Sequence, residues 1–330
     1  MKIAKLECVH FAGVPDGSYS FLAPSRAPNV LTLIAGVRAS GKTRLLEAVV
    51  ALKELVGAYL SPPLGMLERG HVSGSLGGTF VLTDEERDAA ELDSNELSIT
   101  FPLGDDGEPV NVKRPVRTLF ERFALGEASW KIEYFPAGRV LPPFGEVTTP
   151  DEERIARFSS TPNKYAGLIP ALLQLSTADG AKALEETATR GMLLGLDAPD
   201  SLARFRAALA KLVPELRLRG AQPGPDGRPM LAFERANGSM VGAQQLSEAQ
   251  KQALLLAGTI VRLGLSRSII LLDGPELHVH VADQARFLEA LVSIGDDNQW
   301  IVATGSSEIM KAARRDQMIA LPSPREPARA

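Results

Sequence analysis

Residues 36–43 read GVRASGKT, a spacing of glycine, lysine and threonine suited to holding phosphate. Gly36 and Gly41 let the backbone turn its N–H groups toward an anion, with Arg38, Ala39 and Ser40 carried between them. Lys42 brings a cation that can reach the β and γ phosphates, and Thr43 brings a hydroxyl for a magnesium ion. Asp273 closes the apolar run IILL at residues 269–272. A carboxylate at the end of a buried parallel strand sits at the ligand edge of a sheet, where it can join a magnesium shell. The plainer role for such an aspartate is to cap a helix. Ser247 opens a third candidate stretch, LSEAQ, which ends at Gln250; alone, Ser247 reads as a helix N-cap. The segment SIILLDGPELHVH then poses the central question. Gly274 follows Asp273 where phosphate-cleaving proteins often place a second carboxylate, so the residues fit holding a nucleotide better than splitting it.

These residues need elements to position them. The runs KIAKLECVHF, GSYSFLA and NVLTLIAG predict an N-terminal region rich in strands. Leu45, Leu46, Val49, Leu52, Leu55 and Val56 recur at helical spacing, so a helix is expected over about 42–56, ended by Gly57, Pro62 and Pro63. Residues 64–80 are glycine-rich and read as loop. Residues 84–108 hold ten acidic residues against one arginine, which reads as a solvated face. SWKIEYFPAGR reads as a buried strand ending in a Pro-Ala-Gly turn. From about 150 to 213 the pattern turns helical, with Ser201 as a candidate N-cap and Leu202, Phe205, Leu209 and Leu212 on one face. A short β meander follows, with turns at GPDGRP and at Asn237-Gly238. Helices over about 248–263 and 282–292 then alternate with strands at 269–272 and QWIVAT, and a last helix precedes MIAL. That alternation predicts a parallel sheet covered on both faces.

Bulk composition narrows the classes. The chain has 330 residues, 45% hydrophobic and 23% charged, which suits a globular protein with a sizeable core. A net charge of −4 argues against a generic nucleic-acid binder, though Arg204, Arg206, Lys211, Arg217 and Arg219 can meet DNA phosphates or an acidic partner if they are not simply a solvated face. The single cysteine, Cys8, excludes an internal disulfide framework, and no signal peptide opens the chain, so a cytoplasmic setting is expected. No apolar run approaches the roughly 20 residues of a membrane span. His278 and His280 form an H-x-H pair without a nearby third ligand, a weak metal signal.

The order of the motifs resembles the ABC-type ATPases, specifically the SMC, RecF and OLD-like group. That group commonly runs LSEGQ, LLDEPELHLH and TTHSPEI after its phosphate loop. Here LSEAQ spans 246–250, LLDGPELHVH spans 271–280 and ATGSSEI spans 303–309. The resemblance implies an α/β P-loop NTPase fold over 1–330. This is a single ABC-type head with a mostly parallel central sheet, an N-terminal β-rich subdomain and a lid-like helical insertion at about 150–213. Residues from about 244 to 330 form a signature and Walker B lobe. ATP and Mg²⁺ are the implied cofactors, held by residues 36–43 with Asp273. Two heads, alike or different, are implied to close around them, with Ser247 and Gln250 of one facing the phosphate held by Lys42 of the other. The chain ends soon after its last strand, so a separate effector protein is expected in place of the nuclease domain of OLD-type relatives, acting in DNA maintenance or anti-phage defence. No membrane partner is expected.

Four departures from the group stand out. Gly274 replaces its water-activating glutamate, and Gly305 replaces a histidine that touches the γ phosphate. Ala249 replaces a signature glycine, a costly change if that position needs positive φ. No glutamine occurs between residues 1 and 172, where the group's sensing glutamine falls. Arg38 also stands in place of a loop asparagine. Loss of a general base costs about 10²- to 10⁴-fold in rate, so binding with weak or slow hydrolysis is expected, and whether the chain is an enzyme stays open. Glu276, two residues beyond the usual place, is the substitute base in an alternative reading with full activity. A scaffold that binds a partner or DNA without nucleotide is another. Lys42→Ala is expected to abolish ATP binding, since it removes the charge that offsets the phosphates; titration with a fluorescent nucleotide checks this, and equal affinities would refute the phosphate-loop assignment.

Overall fold

The N-terminal apolar runs become strands β1 (Lys2–Val9), β2 (Gly17–Ser20) and β3 (Leu31–Ala35), and helix α1 (Lys42–Leu55) follows the glycine loop as expected. The structure is a computed structural model that describes residues 1–56, 65–104, 110–120, 132–141, 165–177, 198–224, 227 and 229–323. The expected stop at Gly57, Pro62 and Pro63, the acidic residues 105–108, and much of 150–213 lie outside the described residues.

Residues 64–80 are not all loop: strand β4 (Gly74–Val81) lies there. It pairs antiparallel with β1 and with β5 (Glu96–Leu103), giving a four-stranded sheet in the order β2-β1-β4-β5. Its glycines mislead because they serve packing. A Cβ on Gly78 would overlap Leu52 of α1, so the small residue lets helix and sheet approach. Along β5, buried Leu97, Ile99, Phe101 and Leu103 alternate with exposed residues, as on a sheet with one wet face. Before β5, α2 (Asp84–Ala89) starts with a capping box between Thr83 and Glu86. Glu86 is buried and accepts a 2.6 Å hydrogen bond from the α-ammonium of Met1, so this part of the acidic segment is not a solvated face.

Then follow α3 (Arg114–Phe120), β6 (Ile132–Phe135), α4 (Leu168–Leu175) and α5 (Ala198–Leu212). Ser201 lies inside α5, so it is not the N-cap; Pro199 falls in the first turn, where proline is tolerated. Strands β7 (Leu216–Pro223), β8 (Pro229–Arg235) and β9 (Met240–Gly242) form the expected meander. Helix α6 (Glu248–Arg262), strand β10 (Ile269–Asp273), helix α7 (Gln284–Val292), strand β11 (Gln299–Ala303), helix α8 (Ser307–Ala312) and strand β12 (Met318–Ala320) follow among the described residues.

The central sheet is parallel, in the order β12-β3-β11-β10-β6. Alternate residues divide between two cores. Leu33, Ile270, Leu272, Trp300 and Val302 join α4, α5, α6 and α7, whereas Ile34, Ile132, Ile269, Leu271 and Ile301 join α1 and the antiparallel sheet. The helices α4 and α5 are thus part of the main core, through Leu168, Leu172, Phe205 and Leu209. A side chain also splices the two sheets. Buried Gln299 accepts from the Ile3 N–H at 2.7 Å and donates to the Ile3 carbonyl at 2.8 Å. Gln299→Leu keeps similar bulk but leaves both groups of Ile3 unpaired, at about 1–3 kcal/mol for each. A lower urea midpoint with an unchanged slope is the expected result.

Candidate functional site

Strands β3, β11, β10 and β6 run parallel, so the segments that leave their C-terminal ends share one edge. After β3 comes the loop 36–41, after β11 Thr304 and Gly305, after β10 the turn from Gly274 to Glu276, and after β6 the turn 136–139. Ligands bind at this edge of open α/β sheets.

The 36–43 loop is shaped by left-handed residues. Ala39 has φ 63° and Gly41 φ 95°, and a Cβ on Gly41 would overlap the Gly13 carbonyl. No side chain caps the start of α1, so its first N–H groups face outward with the helix dipole behind them. The Lys42 ammonium lies across the loop and donates to the carbonyls of Gly36 and Val37, both at 2.9 Å. An ammonium has three donors, so one remains for an anion. Ser40 is buried, and its hydroxyl has no partner among the described residues. Arg38 and Ala39 are exposed.

Thr43 Oγ1 donates to Asp273 Oδ2 at 2.7 Å, bringing together two residues 230 positions apart. A hydroxyl and a carboxylate oxygen converging beside an uncapped helix start fit a magnesium-bound phosphate by the hardness of their oxygens. Asp273 is only 7% exposed. Burial raises its pKa, while the Thr43 hydrogen bond and the charge of Arg139 pull the other way.

Sequence reading passed over the group that holds this corner. Arg139, 3% exposed, donates to the carbonyls of Pro136 (3.0 Å), Asp273 (2.6 Å) and Gly274 (2.9 Å). The available signal was one cation directly after the Pro-Ala-Gly turn of a fully buried strand. Gly274 has φ 60°, and a Cβ there would press on Leu277. A glutamate at this position meets backbone strain, so restoring one is less simple than the family motif implies.

Glu276 reaches back to the end of β11. Its carboxylate accepts from Thr304 Oγ1 and from the Gly305 N–H, both at 2.8 Å. Ser306 donates to Gln284 at 2.5 Å, and Gln284 donates to the Val279 carbonyl at 3.1 Å, fastening the same two segments further. The structure therefore places the candidate carboxylate against Gly305.

Ser247 and Gln250 bond each other. Ser247 Oγ accepts from the Gln250 N–H at 3.3 Å, and the Gln250 side chain accepts from the Ser247 N–H at 3.1 Å, a reciprocal capping box on exposed Ser247. Ala249 lies in the first turn of α6 and is not among the left-handed residues, so the cost attached to positive φ does not arise. His280 caps a short turn at Ala282, and the described residues contain no cluster of three or more His, Cys, Asp or Glu side chains suited to a metal. Of the basic residues, Arg219 pairs with Glu234 and Lys211 donates to Ser293, while Arg204, Arg206 and Arg217 are exposed. No described helix is long and apolar enough to cross a membrane.

Asp273→Asn keeps an acceptor for Thr43 and removes a buried charge. A raised folded-state pKa means that the folded protein holds the proton more tightly than the unfolded chain, so stability falls as pH rises from the ordinary aspartate value of about 3.9 through the raised one. In EDTA at pH 7 the variant is expected to melt at or above the wild-type temperature. That advantage should shrink as pH falls toward 4, and the variant should lose the stabilisation that Mg·ATP gives wild type; thermal melts across pH test both.

No protein-family model matches the chain, and no curated protein matches it in sequence. Solved structures do match in shape. A crystal structure of an Smc head bound to the C-terminal winged-helix domain of ScpA shares 17% identity, covers 96% of each chain and has a TM-score of 0.56. An Smc head with an extended coiled coil, bound to the C-terminal domain of ScpA from Pyrococcus furiosus, shares 14% identity over 97% of this chain and 93% of that one, with a TM-score of 0.54. The parallel sheet, its antiparallel companion and the edge that carries residues 36–43, 273–276 and 304–305 thus belong to a chain with the fold of an SMC head domain.

Proposed function

We propose that the protein is an ATP-binding head that closes on a second head around Mg·ATP, hydrolyses it slowly or weakly, and acts with a separate partner protein in DNA maintenance or anti-phage defence. The observation that carries this reading is the 2.7 Å contact of Thr43 with Asp273 beside the Lys42 loop. Lys42 and the first N–H groups of α1 bind the phosphates, while Thr43 and Asp273 hold the metal. Magnesium, when bound, offsets phosphate charge. Ser247, exposed at the start of α6, is free to meet a second head's nucleotide. The two Smc heads were solved with a ScpA domain bound, which supports a partner protein here.

The alternative of full activity has its own observation. Glu276 is the carboxylate beside Asp273, and Thr304 and Gly305 fix its orientation. Each of its oxygens takes one of those bonds and keeps a lone pair, so the carboxylate can accept from water without releasing either segment. The left-handed backbone at Gly274 supports weak hydrolysis, because the usual glutamate has no unstrained place there.

Phosphate release and sedimentation, measured on wild type, Ser247→Arg and Glu276→Gln, test the proposal. Wild type is expected to dimerise only with Mg·ATP and to turn over far below the typical enzyme median of about 10 s⁻¹. Ser247→Arg should stay monomeric, since arginine adds bulk at the shared phosphate, and Glu276→Gln should change turnover little. Fast wild-type turnover lost in Glu276→Gln would make Glu276 the base. A wild-type monomer under all conditions would count against a homodimer.

A further inference from the structure

We propose that Arg139 is a positioning residue: its buried guanidinium sets the turn that aims Asp273 and Glu276, and its carbonyl ties that turn to helix α6. The inference rests on the reading of Asp273 as the magnesium-side carboxylate.

The bonding pattern is unusual for a buried cation. Among the described residues its hydrogen-bond acceptors are all main-chain carbonyls, those of Pro136, Asp273 and Gly274. Two successive carbonyls can face one guanidinium fork only if the backbone turns sharply between them. The left-handed Gly274 makes that turn, and the fork in return holds it. Fixing the Asp273 and Gly274 carbonyls fixes the Asp273 side chain toward Thr43 and starts the turn that returns Glu276 to Gly305. Both carboxylates also lie close enough to favour the charged guanidinium against its burial, and the attraction is mutual for Asp273.

The second half of the link runs through Gln252. Its Nε2 donates to the Arg139 carbonyl at 3.1 Å, and Gln252 is buried just beyond the Ser247–Gln250 capping box of α6. Neither Arg139 Nε nor Gln252 Oε1 has a partner among the described residues. A purely structural cross-link gains nothing from two buried unpaired atoms. One residue thus joins the ends of β6 and β10 to the helix that presents Ser247. Outer partners of this kind orient a metal ligand without touching the metal.

The test compares affinity for a fluorescent ATP analogue in Mg²⁺ and in EDTA. Arg139→Lys keeps the charge and loses the fork. It is expected to bind as wild type does in EDTA while losing about tenfold or more of the tightening that Mg²⁺ gives. Gln252→Met, which cuts only the tie to α6, should lose less in the same direction. Leu209→Ala, a core change remote from the edge, controls for lowered stability and should keep the full tightening. Full tightening in Arg139→Lys, or an equal loss in Leu209→Ala, overturns the proposal. If Arg139→Lys does not fold, Gln252→Met decides, and full tightening there overturns it. Wild type that binds no analogue in either buffer refutes the nucleotide site itself. Wild type that binds equally in both refutes only the metal role of Asp273. Either result removes the basis for the proposal.

Discussion

Strands β10 and β11 are buried along their whole length, between one core built on α6 and α7 and another built on α1 and the antiparallel sheet. Water cannot reach their faces, so a charge carried inside either strand would cost several kcal/mol unless paired. Polar chemistry is confined to the places where the strands stop. Parallel pairing then puts all the stops of one direction on the same edge. Asp273 is the last residue of β10, and it keeps one neighbour from each side: Thr43 on its carboxylate and Arg139 on its carbonyl. The candidate site follows from that confinement more than from any single motif.

Much of this was legible in the chain. The runs 269–272 and 299–303 read as buried strands because apolar residues fill both faces. The loop 36–43 read as a phosphate cradle because its glycines, Lys42 and Thr43 lie between a strand and an amphipathic helix. Other features were hidden for physical reasons. β4 looked like loop because its glycines admit a close helix, a role that composition cannot separate from flexibility. Ser201 looked like a cap because serine is a favoured cap and the apolar face begins at the next residue, although the helix already includes the polar turn before it. Arg139 and Thr304 gave no periodic signal, since their roles depend on contacts with residues far along the chain.

The two carboxylates at the edge differ in kind. Asp273 is buried, with a raised pKa, and bonds a hydroxyl that can turn to another partner. Glu276 is held through both oxygens by groups from the end of β11. The first is arranged as a ligand. The second is arranged as a clasp between two segments, and the motif that suggests a base at this end of the sheet does not by itself distinguish those uses.

The splice between Gln299 and Ile3 has a consequence for how the molecule is made. The partners of β1 and β3 across the sheets come from β11 and β12, which are synthesised long after them. Until those arrive, β3 has apolar side chains on both faces and no parallel neighbour. Contacts this distant in sequence form slowly and leave strand edges open meanwhile. The N-terminal half can close its own antiparallel sheet first, but β3 stays without its parallel partners until β11 and β12 have been made.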